Sequence, residues 1–543
     1  MPFFCFGTGG AGRRRRAPAA TAKAIIRRVG KRRAGILLHP TSLPGPFGVG
    51  DLGPAADRFL AWLATAGVSV WQTLPLNVTG LGGSPYTPAS AFAGNPTLLS
   101  PERLRDDGLV TEGELATAPG GEAGRVHLDG VESWKRGLLR ATWERFRRQP
   151  SDGRLAQEMA TFETHPEQAP WLDDWALFAA LKSHLGGSSW LDWPPELRDR
   201  RPEALRAARA ELAGELAYRR FVQFLFFRQW AAVRAGAEAR GVEILGDLPI
   251  YVALDSADVW AHRDLFDLDE RGRPRTVAGV PPDYFSETGQ RWGNPIYRWG
   301  RIRDSGYAWW IDRMRANFRL AHRVRIDHFR GLVAFWRVPA DEETAVRGEW
   351  SPGPGIELFD ALADALGELA LVAEDLGEIT PDVEELRVEL GLPGMRVLQF
   401  GFDAGSPHAP HRLTADTVVY TGTHDNDTTR GWLATADAAT RARALDYLDA
   451  TPDTIHRALL RAAWVAPSEL AVAPLQDVLG LGPEARMNTP GEPAGNWSWR
   501  LADEAALDEG RAARLRRLTE VAERLPPESV EDPGGPEGSP GAG

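Results

Sequence analysis

The chain has 543 residues, of which 43% are apolar, and its formal net charge is −11. The apolar fraction is ample for a large core, and the acidic balance argues against nucleic acid as a partner of the main body. The single cysteine, Cys5, leaves no intramolecular disulfide and no cysteine-based metal site, which is typical of a cytoplasmic protein. No run of about 18 apolar residues is present, so the sequence predicts no transmembrane helix and no membrane partner.

The two ends of the chain differ from the rest. Residues 1–33 carry ten Arg or Lys residues and no acid, and they lack the long apolar stretch of a secretory signal. We interpret this segment as a disordered basic extension; an organelle address and a basic contact arm are the alternatives. Residues 525–543 are rich in Pro and Gly, and they are predicted to form a disordered tail.

Eight short apolar runs, each bounded by turn residues, are predicted to be strands. Their hydrophobicity is continuous rather than alternating, which is typical of parallel strands that are buried on both faces. Helical patterns lie between many of the runs, with Pro near the start or Gly near the end of several of them. The sequence therefore predicts a (β/α)8 TIM barrel over residues 34–524. In chain order the runs are GILLH (35–39), VSVWQTLPL (68–76), VEILGDLPI (242–250), RVRIDHF (323–329), LALVAED (369–375), RVLQF (396–400), TVVYTGTHD (417–425) and ELAVAPLQD (469–477).

Two of the connections are too long for a simple crossover. We expect inserted subdomains at about 77–215, between strands 2 and 3, and at 251–308, between strands 3 and 4. The apolar pattern at 215–235 is predicted to be the helix that precedes strand 3. Both subdomains would then stand above the ends of the strands.

Acidic and polar residues close several of these runs, where barrel enzymes carry their catalytic groups. A carboxylate beside an apolar strand is costly to bury unless it is paired or functional. Each residue alone is as well explained as a cap or an ion-pair partner. Together they predict a rim of converging acids, the arrangement that glycoside chemistry requires. These residues are Asp247 towards the end of run three, Asp327 towards the end of run four, Glu374 and Asp375 at the end of run five, and His424, Asp425 and Asn426 at the end of run seven.

Asp327 stands among four basic residues in the segment RVRIDHFRG. Arg323 and Arg325 precede it at even spacing, which places them on its face of a strand. We expect this basic setting to hold Asp327 ionised, as a nucleophile requires. His328 is expected to turn towards the substrate, and Arg330 completes the basic group.

Glu374 lies in LVAEDLG, a stretch that is poor in cations. A carboxyl group in such surroundings keeps a raised pKa and can serve as a general acid and then as a base. The adjacent Asp375 is an equal candidate on these grounds, since strand parity does not choose between the two.

Eight segments together resemble glycoside hydrolase family 77, the 4-α-glucanotransferases that are called amylomaltases or disproportionating enzymes. Each motif is short, but their joint order and spacing are highly specific, and they span about residues 34–505. The resemblance implies a (β/α)8 barrel without the C-terminal β-domain of α-amylases. The segments are GILLHPTSLPGPFGVGDLG (35–53), GGSPYTPASAFAGNP (82–96), GDLPIYVALDSADVW (246–260), AGVPPDYFSETGQRWGNPIY (278–297), RIDHFRG (325–331), AEDLG (373–377), GTHDNDT (422–428) and QDVLGLGPEARMNTPGEPAGNW (476–497).

The resemblance also implies a role for each site residue. Asp327 is expected to be the nucleophile, Glu374 rather than Asp375 the acid and base, and Asp425 a third acid that grips sugar hydroxyls. A loop that carries Gln290 and Trp292 is expected to arch over the cleft. Tyr86 and Trp292 could instead be core aromatics, and Asp247 could be structural. The residues expected to bind substrate are Tyr86, Asp247, Gln290, Trp292, Arg325, His328 and His424.

The implied reaction transfers α-1,4-glucan segments to the 4-OH of a glucan or of glucose with retention, and it needs no cofactor or metal. Asp425, Asn426 and Asp427 are interpreted as sugar contacts and turn bonds rather than a cation site. A retaining α-1,4-glucan hydrolase and a glucan-binding protein without catalysis are the alternatives. The sequence leaves monomer and homodimer equally open.

Overall fold

A computed structural model describes residues 31–80, 83–282, 286–492 and 494–526. The predicted extension (1–33) and tail (525–543) therefore lie almost wholly outside the described residues. Its strands are β1 (Arg33–Leu37), β2 (Val70–Gln72), β3 (Glu243–Leu248), β4 (Thr276–Val280), β5 (Gln290–Pro295), β6 (Arg323–Ile326), β7 (Ala334–Pro339), β8 (Glu349–Pro352), β9 (Leu371–Ala373), β10 (Gly394–Val397), β11 (Thr417–Tyr420) and β12 (Leu470–Pro474).

Eight parallel strands close into a barrel in the order β1-β12-β11-β10-β9-β6-β3-β2. Each of the eight apolar runs supplies one of these strands, so the predicted TIM barrel is confirmed. The strand interiors are almost completely buried, as in Val324 and Ile326 of β6. Continuous hydrophobicity in the sequence thus reflects strands that are covered by helices outside and by side chains inside.

Helices cover the barrel and build the first insertion. Their ends follow local chemistry: α14 begins at Pro381, which needs no hydrogen-bond partner for its nitrogen, and ends before Gly391, whose φ of 68° is left-handed. The helices are α1 (Pro54–Thr65), α2 (Pro101–Asp106), α3 (Glu112–Leu115), α4 (Leu128–Phe146), α5 (Arg154–Thr164), α6 (Ala169–His184), α7 (Pro195–Arg198), α8 (Pro202–Glu211), α9 (Ala213–Glu238), α10 (Ala257–Ala261), α11 (Trp299–Asp304), α12 (Ala308–Leu320), α13 (Ile356–Leu366), α14 (Pro381–Leu390), α15 (Thr429–Thr435), α16 (Ala438–Leu448), α17 (Ile455–Val465), α18 (Leu475–Leu479) and α19 (Glu509–Val521).

Among the residues that the structure describes, none of these helices is both long and apolar enough to cross a membrane.

A small antiparallel sheet stands beside the barrel, with strand order β5-β4-β7-β8. β4 and β5 come from the second predicted insertion, between β3 and β6. β7 and β8 come from the connection between β6 and β9, where the sequence predicted no extra strands. The second subdomain is thus assembled from two separate stretches of chain, and Val277 of β4 packs with Val338 of β7 and Ala345 in its core.

The seam of the barrel joins its first strand to its last. β1 begins at Arg33, two residues before the run GILLH (35–39) that predicted it, and pairs along its whole length with β12. Arg524, which follows α19, is fully buried, and its guanidinium donates to the backbone oxygens of Trp464, Ala466, Ser468 and Arg33. Arg524 therefore stabilises both sides of the seam, the start of β1 and the chain that leads into β12.

Candidate active site

The predicted acids meet at the carboxyl ends of the barrel strands. Asp247 is the fifth residue of β3, Asp327 directly follows β6, and Glu374 directly follows β9. Asp425 lies five residues beyond the end of β11. All strands of a parallel barrel point the same way, so these four carboxyl groups share one rim.

Arg325 is the centre of the hydrogen bonds on this rim. Its Nη2 donates to Asp247 Oδ2 and to Asp327 Oδ1, both at 2.8 Å, and its Nε donates to Asp247 Oδ2 at 3.0 Å. The Tyr86 hydroxyl donates to Asp247 Oδ2 at 2.7 Å and lies 3.3 Å from Arg325 Nη2. Four residues from three parts of the chain are therefore joined around one guanidinium.

The predicted basic group around Asp327 is wrong in one respect, since Arg325 alone of its four members bonds the carboxylate in the described structure. Arg323 lies at the opposite end of β6, where its Nη1 is 4.0 Å from Glu469 Oε1. Arg330 lies in a 3-10 turn and donates to Glu378 O at 2.9 Å. Burial lowers the pKa of His328 to about 3, so this ring is neutral.

The charge balance of the rim is therefore negative. Burial raises the pKa of Asp327 well above its usual value, and the carboxyl groups of Asp247, Glu374 and Asp425 add to the rise, which Arg325 opposes. Asp327 and Glu374 both lie in this setting, and burial opposes the ionisation of both carboxyl groups together.

Glu374, and not Asp375, points into this group. Its Oε2 accepts from the backbone N–H of His328 at 2.7 Å, and its Oε1 accepts from that of Leu376 at 3.0 Å. Burial raises the pKa of Glu374 to about 7, against the lowering effect of Arg325 and of the two backbone bonds. At neutral pH this carboxyl group can both give and take a proton.

Asp375 turns the other way and anchors the end of β9. Its Oδ1 accepts from the backbone N–H of Met395 at 2.6 Å, and its Oδ2 lies 3.2 Å from Arg396 Nη1 and 3.6 Å from Arg387 Nε. Glu374 therefore faces the other acids of the rim, whereas Asp375 belongs to the packing between β9 and β10.

Asp425 is held by residues that sequence reasoning missed. Asn488 Nδ2 donates to Asp425 Oδ1 at 2.6 Å, and Arg486 Nη2 donates to the Asp425 backbone oxygen at 2.8 Å. His424 Nε2 lies 3.4 Å from the same Oδ1. Arg486 and Asn488 lie in one of the eight matching segments (476–497), but the sequence alone predicted no role for either residue.

An aromatic stack borders the same part of the rim. The Tyr86 and His424 rings are parallel, with centroids 5.0 Å apart, and Trp497 lies 5.9 Å from each. Burial lowers the pKa of His424, and it lowers that of His39 to about 3. The rings of Tyr86, His424 and Trp497 therefore present flat, uncharged faces and hydrogen-bonding edges, which suit a polar but uncharged ligand.

Trp292 and Gln290 belong to strand β5 and not to a loop, which corrects the predicted setting. Trp292 meets the His328 ring edge-to-face at 4.8 Å, and its Nε1 donates to Gln290 Oε1 at 3.2 Å. Gln290 therefore reaches the site through Trp292. His328 adopts a left-handed backbone conformation with φ of 52°, a strain that is typical of functional sites.

The comparisons with known proteins agree with this geometry. The sequence profile described as 4-alpha-glucanotransferase matches residues 38–506. The chain belongs to this family. It is 50% identical over 502 residues to the 4-alpha-glucanotransferase of Thermus thermophilus, which covers 90% of this chain and 99% of that protein. It is 44% identical to the chloroplastic/amyloplastic enzyme of Solanum tuberosum, over 91% of this chain and 87% of that protein. The chain is therefore a 4-alpha-glucanotransferase.

Solved structures place the fold in the same family. The amylomaltase of Streptococcus agalactiae, in complex with acarbose, superposes with a TM-score of 0.87 at 35% identity and covers 91% of this chain and 100% of that chain. The amylomaltase of Corynebacterium glutamicum has a TM-score of 0.74 at 19% identity, over 91% of this chain and 75% of its own, and so supports the fold alone.

Proposed function

We propose that this 4-alpha-glucanotransferase transfers α-1,4-glucan segments to the 4-OH of another glucan or of glucose, through a covalent glucosyl-Asp327 intermediate with retention. The observation that carries the proposal is the contrast between two neighbouring acids. Asp327 accepts a hydrogen bond from the Arg325 guanidinium at 2.8 Å, whereas Glu374 accepts its bonds from the backbone N–H groups of His328 and Leu376.

In this proposal Glu374 carries the proton and Asp327 is ionised. A charge-assisted bond to Arg325 stabilises the ionised form of Asp327, and no comparable side-chain cation contacts Glu374 in the described site. Asp327 is then the nucleophile and Glu374 the acid. In a retaining pair we expect the two carboxyl groups to lie about 5–5.5 Å apart.

In the first step Asp327 attacks C1 of a glucose unit while Glu374 protonates the departing glycosidic oxygen. The non-reducing-end segment stays on Asp327 as an ester, and the other segment leaves. Glu374, now ionised, removes the proton from the 4-OH of an acceptor glucan, which attacks C1 and regenerates Asp327. Each step inverts the configuration at C1, so the two steps together retain it.

The glucose ring that reacts is expected to rest against Tyr86, His424 and Asp425. Asp425 has the fixed orientation that two-point binding of sugar hydroxyls requires, since Asn488 holds its Oδ1 at 2.6 Å. Asp247 and Arg325 keep Tyr86 in place through the 2.7 Å and 3.3 Å contacts of its hydroxyl. These groups would bind the distorted ring more tightly than the relaxed one.

Water could attack the same ester, so transfer requires a site that favours a sugar acceptor. Trp292 is the candidate for this bias, because its ring borders His328 at 4.8 Å, next to the nucleophile. We expect Trp292→Ala to raise hydrolysis relative to transfer by roughly threefold or more. Arg291→Ala, which alters the neighbouring residue of β5 on the opposite face, is the matched control. An unchanged ratio in Trp292→Ala would exclude this role.

The proposal as a whole is tested by incubating the purified protein with maltotriose alone and separating the products by size. Glucose together with a ladder of longer maltooligosaccharides is the expected result. Glucose and maltose without longer products would identify a hydrolase, and unchanged maltotriose would favour a glucan-binding protein.

The covalent step has its own test. Glu374→Gln lacks the base for the second step, whereas α-glucosyl fluoride needs no acid to lose fluoride in the first. We therefore expect mass spectrometry to find one added glucosyl group on the peptide that contains Asp327. A label on another peptide would overturn the assignment of the nucleophile.

A further inference from the structure

The loop that follows β11 carries two of the site residues. Residues 421–428 connect β11 to α15 without regular secondary structure, and His424 and Asp425 lie near the middle of this loop. The hydrogen bonds of a helix or a sheet do not fix such a segment, and a displacement of about 1 Å near the chemistry can cost on the order of 100-fold in rate. The position of Asp425 therefore depends on the contacts that hold the loop.

Asp477 contacts both ends of this loop. At the first end Thr421 Oγ1 donates to Asp477 Oδ2 at 2.6 Å, and at the other end the backbone N–H of Thr429 donates to Asp477 Oδ1 at 2.6 Å. Thr429 is the first residue of α15, where a backbone N–H has no acceptor within the helix. One carboxyl group thus joins the point where the loop leaves β11 to the point where it enters α15.

Asp477 is itself fixed to the barrel. It is the third residue of α18, which directly follows β12, and β12 pairs with β11 in parallel. The residue is 1% exposed. Burial raises the pKa of Asp477, whereas the bonds from Thr421 and Thr429 lower it. A buried carboxyl group is costly unless it is hydrogen-bonded, so these two bonds account for an acid at this position.

The middle of the loop is held by other contacts. Asn426 Oδ1 accepts from the backbone N–H and from the hydroxyl of Thr423, both at 2.9 Å, which folds the loop on itself. Gln399, which lies just after β10, donates from Nε2 to Asp427 O at 2.9 Å. A loop that is folded in this way keeps its own shape, so its two ends decide where Asp425 lies over the barrel.

We propose that Asp477 is a positioning residue, which fixes the two ends of loop 421–428 and so places Asp425 against the reacting glucose ring. The inference rests on the proposed transfer reaction and adds to it a residue that acts only through the loop. Because Asp425 is expected to bind the distorted ring more tightly than the relaxed one, a displaced loop should slow the reaction more than it weakens substrate binding.

Two threonines at opposite ends of β11 make a matched pair for the test. Both are buried, with 2% exposure for Thr417 and 0% for Thr421. Thr421 Oγ1 bonds Asp477 at the carboxyl end of the strand, whereas Thr417 Oγ1 lies 2.7 Å from Ser468 Oγ at the amino-terminal end. Valine in place of either threonine removes the hydroxyl and keeps the branched shape, so both variants should lower the urea midpoint.

Initial rates of maltotriose disproportionation separate a positioning role from a structural one. We expect Thr421→Val to lower kcat about tenfold and to leave KM within about twofold, since it frees one end of the loop. Thr417→Val should leave both constants within about twofold of wild type, and Thr421→Ser, which keeps the hydroxyl, should recover most of the lost kcat. Equal kcat in the two valine variants would overturn the proposal, and so would a change in KM alone.

A double variant tests whether the effect passes through Asp425. We expect Thr421→Val to lower kcat by less than about threefold when Asp425→Asn is already present, because the loop then has less to position. A further loss of about tenfold in that background would overturn the proposal. A failure of the proposed reaction would appear instead as the absence of a maltotriose ladder from the wild type.

Discussion

The two ends of the barrel hold their charged side chains in opposite ways. At the amino-terminal end the charges are matched: Arg33 Nη1 lies 2.7 Å from Glu243 Oε1, and Arg323 Nη1 lies 4.0 Å from Glu469 Oε1. At the carboxyl end Arg325 contacts two carboxylates, and two more share the rim. Each of these arginines at the amino-terminal end has an acid of its own, whereas the excess of acid at the carboxyl end raises the pKa of Asp327.

Strand β6 carries one arginine of each kind, Arg323 at the amino-terminal end of the barrel and Arg325 at the carboxyl end. Arg323 and Arg325 are both almost completely buried, with 6% and 3% exposure. One guanidinium belongs to the structural end and the other to the reactive end. The same residue type therefore has a role that depends on which end of the strand it occupies.

The largest loss of activity is expected at the carboxyl end of the barrel, when the proposed nucleophile is removed. We expect Asp327→Asn to lower kcat for maltotriose disproportionation on the order of 10³-fold or more, because no ester can form. Stability should hold or rise, since one of the crowded acids is gone. The glucose released and the thermal midpoint measure the two effects, and residual transfer within tenfold of wild type would contradict the assignment.

The two arginines of β6 make a matched pair. Arg325→Met should lower kcat/KM about 100-fold or more, because Asp327 and Tyr86 lose their shared support. Arg323→Met should leave kcat/KM within about threefold but lower the free energy of unfolding by about 3 kcal/mol, since it breaks a buried pair. Initial rates and urea midpoints of the two variants test this; equal losses of activity would refute the division between the ends.

The next effect is expected in the pH dependence of kcat/KM, which depends on Glu374 and on its neighbour Asp375. Glu374 must be protonated to act as an acid, so kcat/KM of the wild type should fall as pH rises above about 7. The Asp375 carboxylate contributes to the raised pKa of Glu374, and removing its charge should lower that pKa. In Asp375→Asn we expect the alkaline limb to move to lower pH, with kcat at pH 6 within about tenfold of wild type. A loss of rate without this movement would leave Asp375 a purely structural role.

The smallest effect is expected at a third charged site, where α4 of the first insertion meets the segment between β1 and α1. Lys135 Nζ lies 3.8 Å from Asp51 Oδ2 and donates to Thr97 O and Leu99 O. Burial raises the pKa of Asp51 to about 6 and lowers that of Lys135 to about 8. Stability from Asp51 is thus fully present below pH 3.8 and is lost as pH rises to 6. That from Lys135 is present above pH 10.5 and is lost as pH falls to 8.

Both groups are therefore charged at some cost between pH 6 and 8. We expect the double variant Asp51→Asn, Lys135→Met to be as stable as wild type at pH 7 or up to about 2 kcal/mol more stable. The advantage should shrink as pH falls from 6 to 4. Urea midpoints at pH 4.5 and 7 measure it, and a variant that is less stable at pH 7 would show that the matched charges are net stabilising.

The sequence predicted the barrel because continuous apolar runs leave a local signature. It did not predict β7 and β8, since these strands are short, their burial is mixed, and their partner β4 lies about sixty residues earlier in the chain. Nothing in a local window reports such a pairing. Antiparallel strands of this kind are defined by the tertiary contact and not by their composition.

Prediction of the site was limited in the same way. Acids that end apolar strands are conspicuous because buried charge is costly, so Asp247, Asp327, Glu374 and Asp425 could be found. Asn488 and Trp497 lie in irregular chain without periodicity, and they reach the rim only in three dimensions. Arg323 was misplaced because two residues of strand span about 6.6 Å, enough to carry its head group to the other end.

The seam between β1 and β12 also bears on how the protein is made. Arg524 joins residues near position 33 to residues near position 466, so the cylinder closes only after almost the whole polypeptide has been synthesised. Until then β1 is an unpaired edge in the nascent chain, exposed to neighbours on the polysome. Arg524, near the end of the described chain, thus holds the barrel closed at the amino-terminal ends of the strands, whereas the reacting groups lie at their carboxyl ends.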